Sequence, residues 1–335
     1  MPAPDASPLV RAIVVTWNGA HLLPACLDSL DAQHLRDRTE VVVVDNASTD
    51  GTDALLAARP GATVVRAPRN LGFAGGVELG LRDVRAPFVL LLNNDATLAP
   101  DGLDALVAEL TAPGHERVAA VTAKVVLRRH DAQGRTLVNS TGNVLTRWGA
   151  GVDRDWLAVD GTQSPPGDVF GFHGGAALLR TEAVRAVGGI DPWLFLYYED
   201  TDLSWRLRAA GWTVRYVDAA VAEHAHAASS DPASALFRYY NTRNSLVVVT
   251  RHAPAGMVLR SLARQVAGTV RALARTGWDP TTRARARGLG AWLLRLPRTL
   301  RERRTTWRTA VVPRRDVAAV ALSAAGSTGA AARGA

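Results

Sequence analysis

A run of five apolar residues, Phe88–Leu92, ends directly on three polar ones, Asn93, Asn94 and Asp95. Buried strands of parallel sheets are continuous apolar runs of this kind, and open α/β sheets bind their ligands where such strands end. A carboxylate at that position suits a hard divalent cation, which can in turn hold a diphosphate. The run therefore predicts a parallel-sheet α/β fold with a cation site at the carboxyl edge of the sheet.

Apolar runs and helical patterns alternate along most of the chain, as expected for βαβ units with right-handed crossovers. Strands are predicted at residues 12–15, 40–44, 63–65, 88–92, 119–127, 174–179 and 212–217. Helices are predicted at residues 21–30, 52–58, 74–82, 100–110, 181–187, 200–210 and 236–250. Residues 128–167 show no sustained period and are predicted to be a long loop region with hairpins that covers an acceptor groove. The whole pattern is typical of a doubly wound parallel sheet.

The net charge of +8 is concentrated at one end of the chain. Residues 251–335 contain seventeen arginines and three acidic residues, a balance of +14, so residues 1–250 carry −6. Apolar residues recur there at three- and four-residue steps beside the arginines, as in amphipathic helices. Such helices can lie on an anionic membrane surface or pack on the rest of the protein with their arginines in solvent. Nucleic acid is not expected as a partner, because the arginines are spread over helices without a recognition motif.

Three segments follow from these patterns. We expect a catalytic domain over residues 1–250, a basic amphipathic helical region over 251–322, and a disordered tail over 323–335, where the residues are small and polar. Cys26 is the single cysteine and falls within a predicted helix, which favours a packed thiol in a reducing compartment. No signal-peptide pattern opens the chain, and no window reaches the ~18 uninterrupted apolar residues of a membrane span. A cytoplasmic protein with at most peripheral membrane contact is expected.

Two more strands end on hydrogen-bonding side chains. Thr16 and Asn18 follow the first strand, and Asp45 and Asn46 follow the second. Turn and cap chemistry could explain either pair alone. Because three neighbouring strands end in this way, with Asp95 at the third, we expect a site that contacts a base and a ribose.

The chain lacks the usual glycine-rich phosphate loops. Neither G-x-G-x-x-G after the first strand nor G-x-x-x-x-G-K-S/T is present. Arg69, Asn70 and Gly72 instead precede a predicted helix and offer a guanidinium group, backbone donors and a helix N-terminus. A glycine-rich bend of this kind can also be only a turn.

Three acidic residues, Glu199, Asp200 and Asp202, lie at the start of a predicted helix. One of them can cap the helix, but three acids within four positions repel one another. Their proximity makes sense if one meets a cation or a hydroxyl that gives up its proton. His224, in a later extended stretch, is either a surface residue or a further contact to a metal or diphosphate.

These motifs together resemble those of the inverting family 2 glycosyltransferases with the GT-A fold, a doubly wound, Rossmann-like fold, and particularly the bacterial rhamnosyltransferase-like members. The resemblance covers roughly residues 10–250 in the family's order. The matching segments are residues 14–18, 43–51, 70–76, 92–95, 188–191 and 199–203.

The resemblance implies a role for each matching position on the donor side. Thr16 and Asn18 would line the nucleotide pocket, and Asp45 would accept a hydrogen bond from the pyrimidine. Asn94 and Asp95 would occupy the place of the family's metal-binding Asp-x-Asp element. Asp95 would then bind the donor diphosphate through Mg²⁺ or Mn²⁺.

On the acceptor side, the resemblance implies that Asp200 is the catalytic base and that Glu199 orients the acceptor or the base. His224 matches the histidine after the last core strand, and Arg243 and Asn244 match a pair in the next helix. The sequence departs from the family at Asn93, where the first acid of Asp-x-Asp often stands, and at Glu78, where relatives often have Asn.

The expected chemistry agrees with this assignment. Displacing a nucleoside diphosphate needs positive charge on the leaving group and a carboxylate that deprotonates the attacking hydroxyl, and Asp95 and Asp200 can divide these roles. We predict a metal-dependent inverting glycosyltransferase that transfers rhamnose, with dTDP-rhamnose as the preferred donor. The acceptor would be a lipid- or polysaccharide-linked glycan. It would act in cell-envelope synthesis at the inner face of the membrane. The alternatives are another hexose or N-acetylhexosamine donor, or a non-catalytic nucleotide-sugar or membrane-binding module.

Overall fold

The apolar runs of the sequence form the centre of one large sheet. A computed structural model of the chain describes residues 7–225 and 233–323. Its strands are β1 (Val10–Thr16), β2 (Thr39–Asp45), β3 (Ala62–Arg66), β4 (Phe88–Leu92), β5 (Ala96–Leu98), β6 (Val118–His130), β7 (Thr136–Ser140), β8 (Asn143–Leu145), β9 (Gly151–Asp153), β10 (Gly167–Val169), β11 (Ala176–Arg180) and β12 (Thr213–His224). Its helices are α1 (Leu23–Asp31), α2 (Thr52–Ala57), α3 (Gly72–Gly80), α4 (Gly102–Thr111), α5 (Thr181–Ala186), α6 (Glu199–Ala209), α7 (Ala235–His252), α8 (Ala255–Thr276), α9 (Pro280–Arg308) and α10 (Arg314–Ser323).

The strand order across the sheet is β10-β12-β6-β11-β4-β1-β2-β3, with β5 added to β12 and β7 to β6. Strands β4, β1, β2 and β3 pair in parallel, as predicted. Strand β11 runs antiparallel to both of its neighbours, so the sheet is mixed rather than wholly parallel. The predicted α/β fold class is confirmed, and the carboxyl ends of β1, β2 and β4 meet at one edge.

Helices cover both faces of this sheet, because alternate residues of each buried strand point to opposite faces. In β1, Val14 packs with α1 and α4 on one face, while Ile13 packs with α3 on the other. Cys26 lies in the first of these two clusters, and its burial raises the pKa of the thiol. Its role there is packing, as expected.

Strand β12 is longer than predicted. A register shift between Val217 and Val221 interrupts its pairing with β6, which resumes from Val221 to His224, and the other edge of this end pairs with the short strand β5. In this register His224 lies opposite Ala96, the residue after Asp95. The pairing with β5 therefore brings the end of β12 close to Asp95, which follows β4.

The C-terminal helices pack on the α/β part of the protein. Helix α9 lies along α7, where the Trp292 indole donates to the Thr250 hydroxyl at 3.1 Å and Arg303 donates to the Thr250 carbonyl at 2.7 Å. Helix α10, which the sequence did not predict as a separate element, buries Val317 and Ala321. The disordered tail was predicted over residues 323–335, of which 324–335 lie outside the described residues. Within the described ranges, none of the helices combines the length and apolarity needed to cross a bilayer.

Candidate active site

Asp95 and His224 form the first half of the candidate site. The Nε2 atom of His224 lies 2.9 Å from the Oδ1 atom of Asp95, and both side chains are largely buried. The backbone N–H of Ala225 donates to the carbonyl of Asp95, so the pairing of β5 with β12 fixes both residues. Asn93 lies beside them, with its amide nitrogen 3.4 Å from the same histidine atom.

Asp200 forms the second half. One oxygen of its carboxylate accepts the N–H of Gly174 at 3.2 Å, and the other accepts the N–H of Thr201 at 2.5 Å. The next residue, Gly175, accepts the N–H of Asn93 through its carbonyl at 3.0 Å. The segment from His173 to Gly175 is thus in contact with Asp200 on one side and with the strand end that carries Asp95 on the other.

The three acids at the start of α6 have different surroundings. Asp200 is partly exposed, whereas Glu199 and Asp202 are buried. Burial, together with the charge of Asp200, raises the pKa of Glu199 to about 8, so Glu199 is mainly protonated at neutral pH. Burial alone would raise the pKa of Asp202, but Arg206 and Arg251 outweigh it and hold that pKa well below its usual range. Asp202 is therefore a structural ion-pair partner, and Asp200 is the accessible carboxylate of the three.

On the donor side, the ends of β1, β2 and β4 are joined by side-chain hydrogen bonds. The Asn94 amide donates to the Thr16 hydroxyl at 3.0 Å. Asn18 accepts the Thr49 N–H at 2.8 Å, and the carboxylate of Asp45 accepts the Ser48 N–H at 3.0 Å. These hydrogen bonds hold the loops after the three strands in one arrangement.

The turn before α3 is fixed to the same edge. The Asn46 side chain donates to the Asn70 side chain at 3.2 Å and to the Gly72 carbonyl at 3.0 Å, and it accepts the Leu71 N–H. Arg69, at the start of this turn, is exposed.

Glu78, one of the departures from the family pattern, lies on the other side of α3. Its carboxylate accepts the N–H of Ile190 at 3.2 Å, and burial raises its pKa. It borders a cavity of about 230 Å³ lined by Thr181, Val184 and Gly189, among others. Its structural contact is thus to the Gly-Gly turn after α5.

Three residues of the site were not found from the sequence. Asn139 on β7 lies 2.7 Å from the Nδ1 atom of His224, so it orients the ring of that histidine. His173 lies near His224, with ring centroids 6.1 Å apart, and its Nε2 atom is 3.7 Å from Asp153 on β9. A Gly-Phe-His-Gly-Gly segment before a strand was a visible signal for His173. Asn139 and Asp153 lie in short strands whose sequence shows no period.

The chemistry of Asp95 and His224 fits a divalent cation. The 2.9 Å contact between Nε2 of His224 and Oδ1 of Asp95 is a hydrogen bond, and the imidazole nitrogen and the carboxylate oxygen are both atoms that bind Mg²⁺ or Mn²⁺ in proteins. Asn139 supports the second ring nitrogen, as residues behind metal-binding histidines commonly do. In the parts of the chain that the structure describes, no group of three or more His, Cys, Asp or Glu side chains is placed to hold a metal. The other ligands would have to come from a diphosphate and water.

The chain is similar to known proteins in sequence and in fold. Residues 12–188, more than half of the chain, match the family described as glycosyl transferase family 2. N-acetylglucosaminyl-diphospho-decaprenol L-rhamnosyltransferase of Mycobacterium tuberculosis is 29% identical over 259 residues, covering 70% of this chain and 82% of that protein. The succinoglycan biosynthesis protein ExoO of Rhizobium meliloti is 35% identical over 115 residues, which span 34% of this chain and 33% of ExoO.

The fold also occurs among solved structures. The crystal structure of GalNAc-T7 with UDP, GalNAc and Mn²⁺ superposes with a TM-score of 0.60 at 14% identity, covering 85% of this chain and 55% of that chain. At this identity the likeness concerns the fold alone, and the predicted GT-A fold is confirmed.

Proposed function

The chain belongs to glycosyl transferase family 2, and from this premise we propose that it transfers a sugar from a nucleoside diphosphate to a hydroxyl group with inversion at the anomeric carbon. One observation carries the proposal: Asp200 and the strand end that holds Asp95 contact the same segment, His173 to Gly175. These contacts support the proposal that Asp95, as a cation ligand, and Asp200, as a base, border a common cleft.

Asp95 and His224 are the residues that would hold Mg²⁺ or Mn²⁺. When bound, such an ion supplies positive charge to the oxygens of the departing diphosphate. Asp95 and His224 keep their relative position through the β5–β12 pairing, so they need little rearrangement to bind it. The Mn²⁺ in the structure of GalNAc-T7, a protein of the same fold, supports a divalent cation as the cofactor.

Asp200 acts on the acceptor. Its carboxylate takes the proton of the attacking hydroxyl while the bond to the diphosphate breaks, and a single displacement of this kind inverts the anomeric centre. The N–H groups of Gly174 and Thr201 hold the carboxylate in a fixed orientation. Glu199, buried beside it, helps to orient the base or the acceptor.

The donor nucleotide binds along the edge formed by β1, β2 and β4. Thr16 and Asn18 line the nucleotide pocket, and Asp45 recognises the pyrimidine. The other donor contacts come from the loops after β2 and β4 and from the turn before α3. The residues concerned are Asn46, Arg69, Asn70, Gly72 and Asn94.

The preferred sugar is rhamnose from dTDP-rhamnose, and the acceptor is a lipid- or polysaccharide-linked glycan of the cell envelope. The name of the mycobacterial relative, which specifies a rhamnosyl transfer to a diphospho-decaprenol acceptor, supports both assignments. Another hexose or an N-acetylhexosamine is the second candidate donor, since GalNAc-T7 was solved with UDP and GalNAc.

A lipid-linked acceptor has to be reached at a membrane, and helix α8 offers a surface for this contact. Leu259, Val266, Val270 and Leu273 recur along one side of the helix and are exposed, Leu259 to 66% and Val270 to 60%. Met257 and Ser261, on the opposite side, are buried against the protein. An exposed apolar stripe next to arginines is typical of helices that lie in an anionic lipid interface. We therefore assign the protein to the inner face of the cell membrane.

A donor screen tests the proposed function. The full chain is incubated with UDP-, dTDP- and GDP-sugars, with and without Mn²⁺ or Mg²⁺ and with a polyprenyl-diphosphate-linked sugar, and release of the nucleoside diphosphate is followed. We expect metal-dependent turnover with one donor class, highest for dTDP-rhamnose. Tight binding of donors without turnover of any would show a non-catalytic binding module instead.

A further inference from the structure

The segment directly before the proposed base has an unusual backbone. Phe195, Tyr197 and Tyr198 all have positive φ angles, of 66°, 67° and 72°. Phe195 is the centre of a three-residue turn in which the Leu196 N–H donates to the Leu194 carbonyl at 2.7 Å. Such conformations are unfavourable for non-glycine residues and persist only where the surroundings enforce them.

One fully buried side chain on α7 satisfies this turn. The amide nitrogen of Asn244 donates to the carbonyls of Leu194, Leu196 and Tyr197 at 2.9, 2.8 and 2.8 Å. All three acceptors belong to the strained segment, and none of them belongs to α7 itself. Asn244 is thus placed to hold the backbone that leads into Asp200.

Arg243 adds a second point of attachment. It donates to the carbonyls of Trp193 and Leu194 at 3.0 and 2.7 Å, and its Nε–H donates to the side-chain oxygen of Asn244 at 2.8 Å. Its guanidinium group also lies 4.0 Å from the ring centroid of Trp193. The arginine therefore fixes the amide of Asn244 in the orientation that the turn requires.

The same turn contacts the donor side of the cleft. The carbonyl of Phe195 accepts the N–H of Ala74, in the first turn of α3, at 3.1 Å. A Cβ atom on Gly72 would lie only 2.2 Å from that carbonyl oxygen. The segment is therefore enclosed between α7 and the turn that carries the proposed donor residues.

We propose that Asn244, oriented by Arg243, is a positioning residue that sets the location of Asp200 relative to the donor site. The proposal rests on the proposed function only in taking Asp200 as the base. Asn244 touches neither substrate, so its loss should affect catalysis rather than nucleotide binding.

The test uses the full chain and three variants, Asn244→Ala, Arg243→Lys and Asn241→Ala. Asn241 lies on the same helix and is only partly buried, so it is the matched control. For Asn244→Ala we expect kcat to fall by about 10- to 100-fold, since misplacing a reacting group by about 1 Å can cost 10² in rate. Binding of dTDP with Mn²⁺, measured by calorimetry, should be unchanged. Amide hydrogen exchange should accelerate in residues 196–201 and stay unchanged in β2, and Asn241→Ala should match the wild type in every measurement.

Two results would overturn the proposal. One is an Asn244→Ala protein with wild-type kcat. The other is a loss of kcat that only follows a loss of folded protein and of nucleotide binding. If Asn244→Ala does not fold, Arg243→Lys, which keeps the charge but loses the Nε–H bond to the Asn244 side chain, decides the question by the same criteria. If the wild type turns over no donor, the proposed function fails. Hydrogen exchange of residues 196–201 in Asn244→Ala still decides whether Asn244 holds the segment before Asp200 in place.

Discussion

Neighbouring residues of the candidate site differ sharply in their surroundings. Glu199 and Asp200 are adjacent in sequence, yet Glu199 is buried and has a pKa raised to about 8, while Asp200 is partly exposed and accepts two backbone N–H groups. Burial of this kind lets one carboxyl group of a site keep its proton at neutral pH. The sequence shows that the two acids are adjacent, but their pattern does not show which of them is buried.

The raised pKa of Glu199 predicts a pH dependence of stability. Between the usual pKa of 4.5 and about 8, the folded chain keeps a proton that the unfolded chain loses, so the free energy of unfolding falls as pH rises through this window. Glu199→Gln removes this dependence and should be more stable than the wild type at pH 8, by as much as about 4 kcal/mol. The difference should vanish near pH 4.5.

Urea unfolding at several pH values measures the effect. Glu182→Gln, at an exposed position of α5, is the control and should follow the wild type at every pH. If the free energies of unfolding of Glu199→Gln and of the wild type change with pH in the same way, Glu199 is not protonated in the folded protein.

At the scale of elements, the candidate site depends on contacts between strand ends, loops and helices. Much of it could be predicted, because Thr16, Asp45 and Asp95 each end an apolar run and parallel strands end at one edge. The approach of His224 to Asp95 was only one of two alternatives from the sequence, because it depends on a register shift in β12 and on a three-residue strand, β5. Short strands carry too few residues for a period to be visible. The same reason explains why Asn139 was missed.

The close contact between α3 and the segment before α6 gives a prediction at this scale. Gly72 has a φ of +71°, and a Cβ there would meet the Phe195 carbonyl at 2.2 Å. Gly114 has a φ of +83° with open space around it, so Gly114→Ala measures the backbone strain alone. Gly72→Ala should lower the free energy of unfolding by about 1–3 kcal/mol more than Gly114→Ala, because it also forces two backbones apart.

Chemical denaturation and turnover are measured on both variants. Gly72→Ala should also lose turnover, whereas Gly114→Ala should keep it. Equal stabilities and equal turnover for the two would mean that α3 and the Phe195 turn are not in firm contact.

At the scale of the whole molecule, charge and apolar surface are divided between two regions. Residues 1–250 carry −6 and hold the proposed chemistry, while residues 251–335 carry +14 and contain the exposed stripe of α8. The C-terminal helices pack on α7, so the structure agrees with their packing on the rest of the protein. Helix α8 nevertheless keeps leucines and valines exposed, and on this observation we propose membrane contact.

Membrane binding predicts a dependence on both lipid charge and apolar residues. The full chain should sediment with vesicles containing phosphatidylglycerol, and less with pure phosphatidylcholine or at high salt, since each arginine near an anionic surface contributes about 1 kcal/mol. The double variant Leu259→Glu/Val270→Glu should lose this binding. Val311→Glu, at another exposed apolar position, is the control and should keep it. Equal sedimentation of the double variant and the wild type would exclude the α8 stripe as the membrane contact.

The division of roles between two carboxylates across one cleft is tested most directly by measuring nucleotide binding and turnover for Asp95→Asn and Asp200→Asn. Calorimetry with dTDP and Mn²⁺ gives the binding, and release of nucleoside diphosphate from the active donor gives the turnover. Asp200→Asn should bind like the wild type and lose about 10²–10⁴-fold in turnover. Asp95→Asn should lose both the Mn²⁺-dependent part of binding and turnover. Wild-type turnover in Asp200→Asn, or wild-type metal-dependent binding in Asp95→Asn, would contradict the account.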